Sequence, residues 1–431
     1  VRALYLVVVY LLAPVVCGAM LWRGFRDRAY WRDFEQRFGF GPPLPGRPIW
    51  VHAVSVGEVQ AAAPLVKALR TRYPSVPLLV TTVTPTGAER ARALFHDGGV
   101  QVRFVPWDLP GSVRRFFARV QPRVAVILET ELWPNLYDAC GRLGVPLVLA
   151  SARISPRSVG RYRQLASLFR ETLSHGIVIA AQSEGDAERF RSIGANPART
   201  HVTGNIKFDL ALPADIAQQG AALRARYAGD ARAVWVAGST HAGEESAALA
   251  AHRQLRAAGV DALLVLVPRH PQRFGDVANL LRDGGASFVR RSSGEPAGPG
   301  TEVLLVDTLG ELLAFYAAAD LAFVGGSLVP VGGHNLLEPA ALAVASLSGP
   351  QVFNAQDIAD LLFAEGAVAE VADPDALGEA VGRLMRDASA RRAMGEAGRR
   401  VVEANRGALQ RLLQLLAPVI DAEQGPPPAS R

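Results

Sequence analysis

The sequence predicts an α/β protein: two Rossmann-like domains facing each other across a cleft, preceded by an N-terminal membrane-anchor helix. Three observations carry this. Short, continuous apolar runs alternate with amphipathic stretches, and the series occurs twice along the chain. The runs lack the in–out alternation of a half-exposed sheet, so they suit parallel strands covered on both faces. Ahead of them, Ala3–Trp22 is a stretch of 20 residues without a charge; as a helix it covers about 30 Å, roughly one bilayer core.

Tyr5, Tyr10 and Trp22 are suited to a membrane interface, and Arg23, Arg26, Arg28 and Arg32 follow with only Asp27 and Asp33 among them. The excess of arginine places the body of the chain on the cytoplasmic side of the membrane. A cleaved signal peptide fits less well: no small-residue cleavage site follows, and the basic cluster lies on the wrong side. Val16 is too bulky for a lipoprotein site at Cys17. Pro14 kinks a helix here, which favours tilted or shallow insertion. Residues 1–32 are therefore read as anchor and basic juxtamembrane segment.

The first domain is assigned to 33–207. Strands are expected at 48–56, 77–83, 100–105, 123–128, 146–150 and 176–181, with helices at 59–71, 86–95, 110–119, 132–143, 158–173 and 184–192. Such βα units build a parallel, doubly wound sheet. The second domain is assigned to 208–431, with strands at 234–237, 262–267, 287–290, 303–306, 321–324 and 345–347, and helices at 244–258 and 274–283. Residues 292–301 form a polar Gly/Pro loop, 383–420 are C-terminal helices, and 425–431 a frayed tail. Ligands of such sheets bind at the carboxyl ends of the strands.

Composition excludes several classes. The chain has 431 residues, 49% of them hydrophobic, enough to bury large cores. A formal charge of +6 does not make a nucleic-acid coat. Two cysteines, Cys17 and Cys140, give no disulfide framework. No G-x-G-x-x-G joins a strand to a helix, so a nicotinamide or flavin fingerprint is missing. Gly238–Gly243 has P-loop spacing, but Glu244 and Glu245 stand where Lys and Ser/Thr are required. The histidines form no H-x-x-x-H or Cys/His cluster, so a structural zinc is not expected, and there is no G-x-S-x-G elbow.

The loops that follow the strands carry the chemistry. In HAVSVGE, Glu58 stands where a strand gives way to a helix; a first-turn glutamate favoured by the helix dipole explains it equally well. In ETELWPN, Glu129 and Glu131 stand two residues apart beside Trp133-Pro134, and helix capping accounts for one of them. Lys207 in NIKFD is one of only two lysines, the other being Lys67. Pro268-Arg269-His270-Pro271 follows an apolar strand; an arginine at that edge can fork onto a phosphate, or be a plain exposed turn residue. Thr308 in DTLGE is a plausible N-cap, and Gly310 lets a base or ribose approach the backbone. Gly325-Gly326-Ser327 offers backbone N–H groups to an anion, and Glu338, one turn into the next helix, can accept two ribose hydroxyls. Nucleotide chemistry in the second half and carboxylates in the first suit a nucleotide-sugar transferase.

In order, HAVSVGE, ETELWPN, NIKFD, VPRHPQRF, DTLGEL and VGGSLVPVGGHNLLEPAA resemble the 3-deoxy-D-manno-octulosonic acid (Kdo) transferases of Gram-negative bacteria, over nearly the whole chain. The resemblance implies the GT-B glycosyltransferase fold. It implies transfer of Kdo from the donor CMP-Kdo to the lipid A precursor, lipid IVA, in lipopolysaccharide biosynthesis, with inversion and with neither metal nor cofactor. Carried across, Glu58 is the general base, and Glu129 and Lys207 stabilise the transition state. CMP is held by Pro268 and Arg269, by Leu309, Gly310 and Glu311, and by Asn335, Leu336, Leu337 and Glu338. The acceptor's phosphates find partners among Arg23–Arg32, or in Arg153 and Arg157. One stretch departs from the pattern: Ala343–Gln351 lacks the Gly, the first Pro and the His expected there. Two alternatives stand beside this reading: another GT-B nucleotide-sugar transferase or sugar-nucleotide epimerase, and a non-catalytic membrane scaffold that binds a nucleotide.

Overall fold

The apolar runs form strands because their side chains fill both faces of a sheet at once. In β1 (Ile49–His52) every residue is buried. Trp50 enters one cluster with Phe116 and Phe117, while Ile49 and Val51 enter another with Val59 and Leu65. This is the two-residue period of a strand covered on both sides. The computed structural model describes residues 2–164, 176–229 and 231–422. It divides into two units, Val1–Asp209 with Arg406–Arg431, and Leu210–Asn405.

In the first unit, β1 is joined by β2 (Leu78–Thr82), β3 (Val100–Phe104), β4 (Val124–Leu128), β5 (Leu147–Ala152), β6 (Val178–Ala181) and β7 (Thr200–Val202). All pairs are parallel, in the order β3-β2-β1-β4-β5-β6-β7. The direction of winding reverses between β1 and β4, where ligands of doubly wound sheets bind. The helices are α1 (Arg2–Arg26), α2 (Val56–Arg72), α3 (Pro85–Leu94), α4 (Pro110–Val120), α5 (Pro134–Arg142) and α6 (Pro156–Gln164), then Glu184–Ser192. Proline opens α3, α4 and α5, where its missing N–H costs nothing.

The second unit repeats the plan with β8 (Ala233–Thr240), β9 (Ala262–Pro268), β10 (Phe288–Arg290), β11 (Val303–Leu305), β12 (Leu321–Val324), β13 (Ala345–Ser348) and β14 (Val368–Glu370), in the order β10-β11-β9-β8-β12-β13-β14, all parallel. Its reversal point lies between β8 and β12.

Four expectations need correction or extension. The edge strands β7 and β14 went unread. The helix Ile216–Tyr227 also went unread. The closing helix Ala408–Ala422 was expected with the second domain, yet Ala408, Leu412, Leu416 and Ile420 complete a core of the first sheet. Asp209 caps it, accepting from the N–H groups of Gly407 and Leu409 at 2.6 Å. The expected helix 158–173 is seen as α6 up to Gln164; its remainder, the Arg157 side chain and the tail 425–431 lie outside the described residues.

α1 is the one helix among the described residues long and apolar enough to cross a membrane. Only its Gly24 is buried, under Trp31, whose indole N–H donates to Leu21 O at 3.0 Å. The first turn is tied to the same unit: Arg2 pairs with Asp138, and the Tyr5 hydroxyl donates to Asp108 at 2.6 Å.

Candidate functional site

In the first unit the site forms where β1 and β4 part. Ser55 caps α2, and Glu58 reaches back so that its Oε2 accepts from the Val54 N–H at 2.8 Å. Ser55-x-x-Glu58 is thus a variant of the capping box. Its other oxygen has only the Ser55 hydroxyl, at 3.4 Å. Burial, then the charge of Glu129, push Glu58 up to about 7, against the opposing Val54 hydrogen bond.

Glu129 follows β4 with φ +57°, a left-handed conformation that costs a residue with a Cβ about 1–2 kcal/mol. The turn aims its carboxylate at two cations: Lys207 Nζ donates to Oε1 at 2.6 Å and Arg153 Nε to Oε2 at 3.2 Å. Burial raises Glu129, but Lys207 and Arg153 outweigh it and hold the carboxyl below its ordinary value. Glu131 goes the other way, raised chiefly by burial, and accepts the Trp133 indole N–H at 2.5 Å. The structure therefore brings Glu58, Glu129 and Lys207 together. Arg153, expected to serve a lipid phosphate, is a partner of Glu129; this role was not legible, since 24 residues separate the two in sequence.

In the second unit Pro268 ends β9, buried, and Arg269 follows half-buried, its N–H donating to Thr240 O at 3.0 Å. Asn335 Nδ2 donates to Glu338 at 3.0 Å, and Asn335 Oδ1 accepts the Leu337 N–H. Leu336 and Leu337 are buried and set this turn. Burial raises Glu338, opposed by Asn335 and Arg269, so Arg269 and Glu338 belong to one neighbourhood. Leu309 is 71% exposed and Gly310 has φ +85°. Glu311 instead binds Arg291 at 2.7 Å, and its other oxygen takes the Thr308 hydroxyl. Arg291 is an addition that no sequence signal marked.

One expectation is overturned. The N–H groups of Gly326, Ser327 and Leu328 do form an anion nest, but a residue of the chain fills it. The fully buried Glu244 accepts all three, at 2.7, 3.0 and 3.0 Å, together with the His241 N–H at 2.9 Å. Beside it, His241 Nε2 meets His334 Nε2 at 2.8 Å, and His270 stands edge-on to His241 at 5.2 Å. Burial, then Arg269, hold His334 down at about 4, so this pair is neutral near pH 7 and shares one N–H. Gly326 is required here, since a Cβ would come within 2.8 Å of His334.

Two parallel-sheet units, each with a reversal point in its strand order, make the GT-B fold. The same fold is found in MurG from Acinetobacter baumannii, 14% identical, covering 87% of this chain and all of that one with a TM-score of 0.57. It is found again in a putative UDP-N-acetylglucosamine 2-epimerase from Listeria monocytogenes, 14% identical, covering 88% of this chain and 98% of that one with a TM-score of 0.55.

The profile of the family described as 3-deoxy-D-manno-octulosonic-acid transferase (kdotransferase) matches residues 32–210. A 3-deoxy-D-manno-octulosonic acid transferase of Haemophilus influenzae is 42% identical over 398 residues, 91% of this chain and 92% of that protein. One from Bordetella pertussis is 40% identical over 430 residues, 96% and 98% of the two chains. The chain belongs to the Kdo transferase family.

Proposed function

We propose that the chain moves Kdo from CMP-Kdo to a hydroxyl of lipid IVA at the cytoplasmic face of the inner membrane, inverting the anomeric centre in one displacement. Glu58 takes the proton of the acceptor hydroxyl while its oxygen forms the new bond to the anomeric carbon, and the bond to the CMP phosphate breaks. The observation that carries this reading is the separation of two neighbouring carboxylates. Glu129 is held ionised by Lys207 and Arg153, while Glu58 sits near 7, poised to take a proton near neutral pH. Glu129 and Lys207 steady the developing charge. Arg269 meets the phosphate and Glu338 the ribose; CMP carries a single phosphate, whose charge an arginine can meet without a metal. Because both ends of α1 touch one unit, it suits a helix lying along the membrane face and holding that unit beside a lipid acceptor.

The test is mass spectrometry of lipid IVA incubated with the protein and CMP-Kdo, with UDP-sugars as the competing donors. A mass gain of whole Kdo units from CMP-Kdo alone is expected. No gain, or gain from a UDP-sugar, would overturn the proposal.

A further inference from the structure

Three of the eight histidines meet in the second unit, although nothing in their spacing along the chain announces it. His241 follows β8, His270 follows β9 and Arg269, and His334 closes the glycine loop after β12. The His241 and His334 rings stack with centroids 5.1 Å apart, 7° from parallel, and Nε2 faces Nε2 at 2.8 Å. That contact needs one Nε2 to carry a proton and the other to be bare. Both rings are half-buried, so a ligand can reach them. Among the described residues no acid is left for the pair. His334 is acted on by Arg269, His241 and His270. His241 faces Glu244 and Glu245 on one side and His270 and Arg273 on the other. Glu244, however, is spent on the glycine-loop amides, and Glu245 pairs with Arg273. The pair is one proton short of two outward donors and has no anion of its own.

The donor in the proposed function supplies such an anion, and the inference rests on that reading. In CMP-Kdo the anomeric carbon that bears the phosphate also bears the sugar's carboxylate. An arginine that meets the phosphate therefore has the carboxylate for a neighbour, and His334 lies within the field of Arg269. A donor built on an aldose has only a hydrogen at that position. We propose that His241 and His334 bind the carboxylate of the donor sugar, one Nε2–H to each oxygen, and so select an ulosonic-acid donor over an aldose one. On binding, the bare Nε2 takes up one proton from water, and no covalent bond between heavy atoms changes. Without the donor, burial and Arg269 hold His334 at about 4; a carboxylate against the pair favours its charged form.

The test uses the full chain as wild type, His334→Gln and His241→Gln; glutamine keeps a polar side chain but cannot take up the proton. Initial rates with CMP-Kdo and lipid IVA give KM and kcat. Competitive inhibition by CMP, which lacks the sugar, reads the nucleotide site alone. At pH 7 each variant should raise the KM for CMP-Kdo about tenfold or more, with the CMP inhibition constant at its wild-type value. Wild type takes up a proton on binding and the variants do not, so the KM ratio of variant to wild type should be larger at pH 6 and smaller at pH 8. Comparing the three forms at each pH cancels the titration of Glu58 and of the phosphate. A CMP inhibition constant that rises as far as KM would give the histidines to the phosphate or to the folding of the loop, and a ratio constant with pH would remove the proton; either result overturns the proposal. Failure of wild type to transfer Kdo would remove the donor and the proposed function with it. Transfer with equal KM in all three forms would overturn this inference alone.

Discussion

At the scale of single residues, the proposed function gives Glu58 two duties that one substitution separates. Glutamine can still accept the Val54 N–H and complete the cap of α2, but it cannot take a proton at neutral pH. Glu58→Gln should lower transfer by about 10²–10⁴-fold with CMP affinity unchanged, measured by donor turnover and calorimetry. Wild-type transfer should rise through about pH 7 as Glu58 ionises. The sign for stability is opposite. With its folded value raised above the ordinary 4.5, the protonated form favours folding; that contribution is full below about 4.5 and lost as pH rises through 7. Melting of Glu58→Gln between pH 5 and 8 should therefore fall less than that of wild type. A second residue stands out. Ala343, where the family resemblance expects glycine, takes φ +57°. Ala343→Gly should relieve about 1–2 kcal/mol of left-handed strain, offset by about 0.4–1 kcal/mol of added freedom in the unfolded chain. A small rise in melting temperature is expected, and a fall would show that the loop does not depend on this conformation.

At the scale of elements, the strand ends were legible and their partners were not. Glu58, Glu129 and Arg269 stand out in sequence because a charged residue at the end of an apolar run needs a reason, and Lys207 because lysine is so rare in this chain. What each touches depends on which strands become neighbours, and that is a non-local fact. The Gly325–Ser327 loop shows the difference: its glycines correctly announce an anion nest, but the anion is Glu244, some eighty positions earlier. Glu244→Ala should leave four N–H groups without their acceptor, and the two buried ones, of Gly326 and Ser327, cost about 1–3 kcal/mol each. Thermal unfolding should drop sharply, and the Gly326, Ser327 and Leu328 amides should gain hydrogen exchange. Exchange as slow as in wild type would mean that the nest closes without its carboxylate. α1 behaves differently, since almost nothing covers it. Deleting residues 1–22 should shift the protein from the membrane fraction to the soluble one while CMP binding persists, as read by fractionation and calorimetry.

For the whole molecule, the two sheets were readable from the repeated βα pattern, but the return of the closing helix was not. An amphipathic helix shows that it needs a core, not which core. Its apolar stripe, Leu412, Leu416 and Ile420, fits the first sheet, and Asp209 fixes its start. The chain consequently passes between the units twice, at 209/210 and at 405/406. The second unit is one continuous segment with its own sheet and its own buried cluster around Trp235, Leu264 and Phe323. All the residues assigned to CMP lie in it, whereas Glu58, Glu129 and Lys207 all lie in the first. If that division of labour holds, residues 210–405 expressed alone should fold and bind CMP with close to full-chain affinity, yet transfer nothing. Within that fragment, Arg269→Ala removes a charged hydrogen bond to phosphate and Glu338→Ala one to ribose, each weakening CMP binding by about 1.5–3 kcal/mol. Glu58→Gln in the full chain should leave that affinity alone. A fragment that folds, as judged by circular dichroism, but does not bind CMP would show that the first unit supplies part of the donor site. Unchanged affinity in both variants would place the nucleotide elsewhere in the second unit.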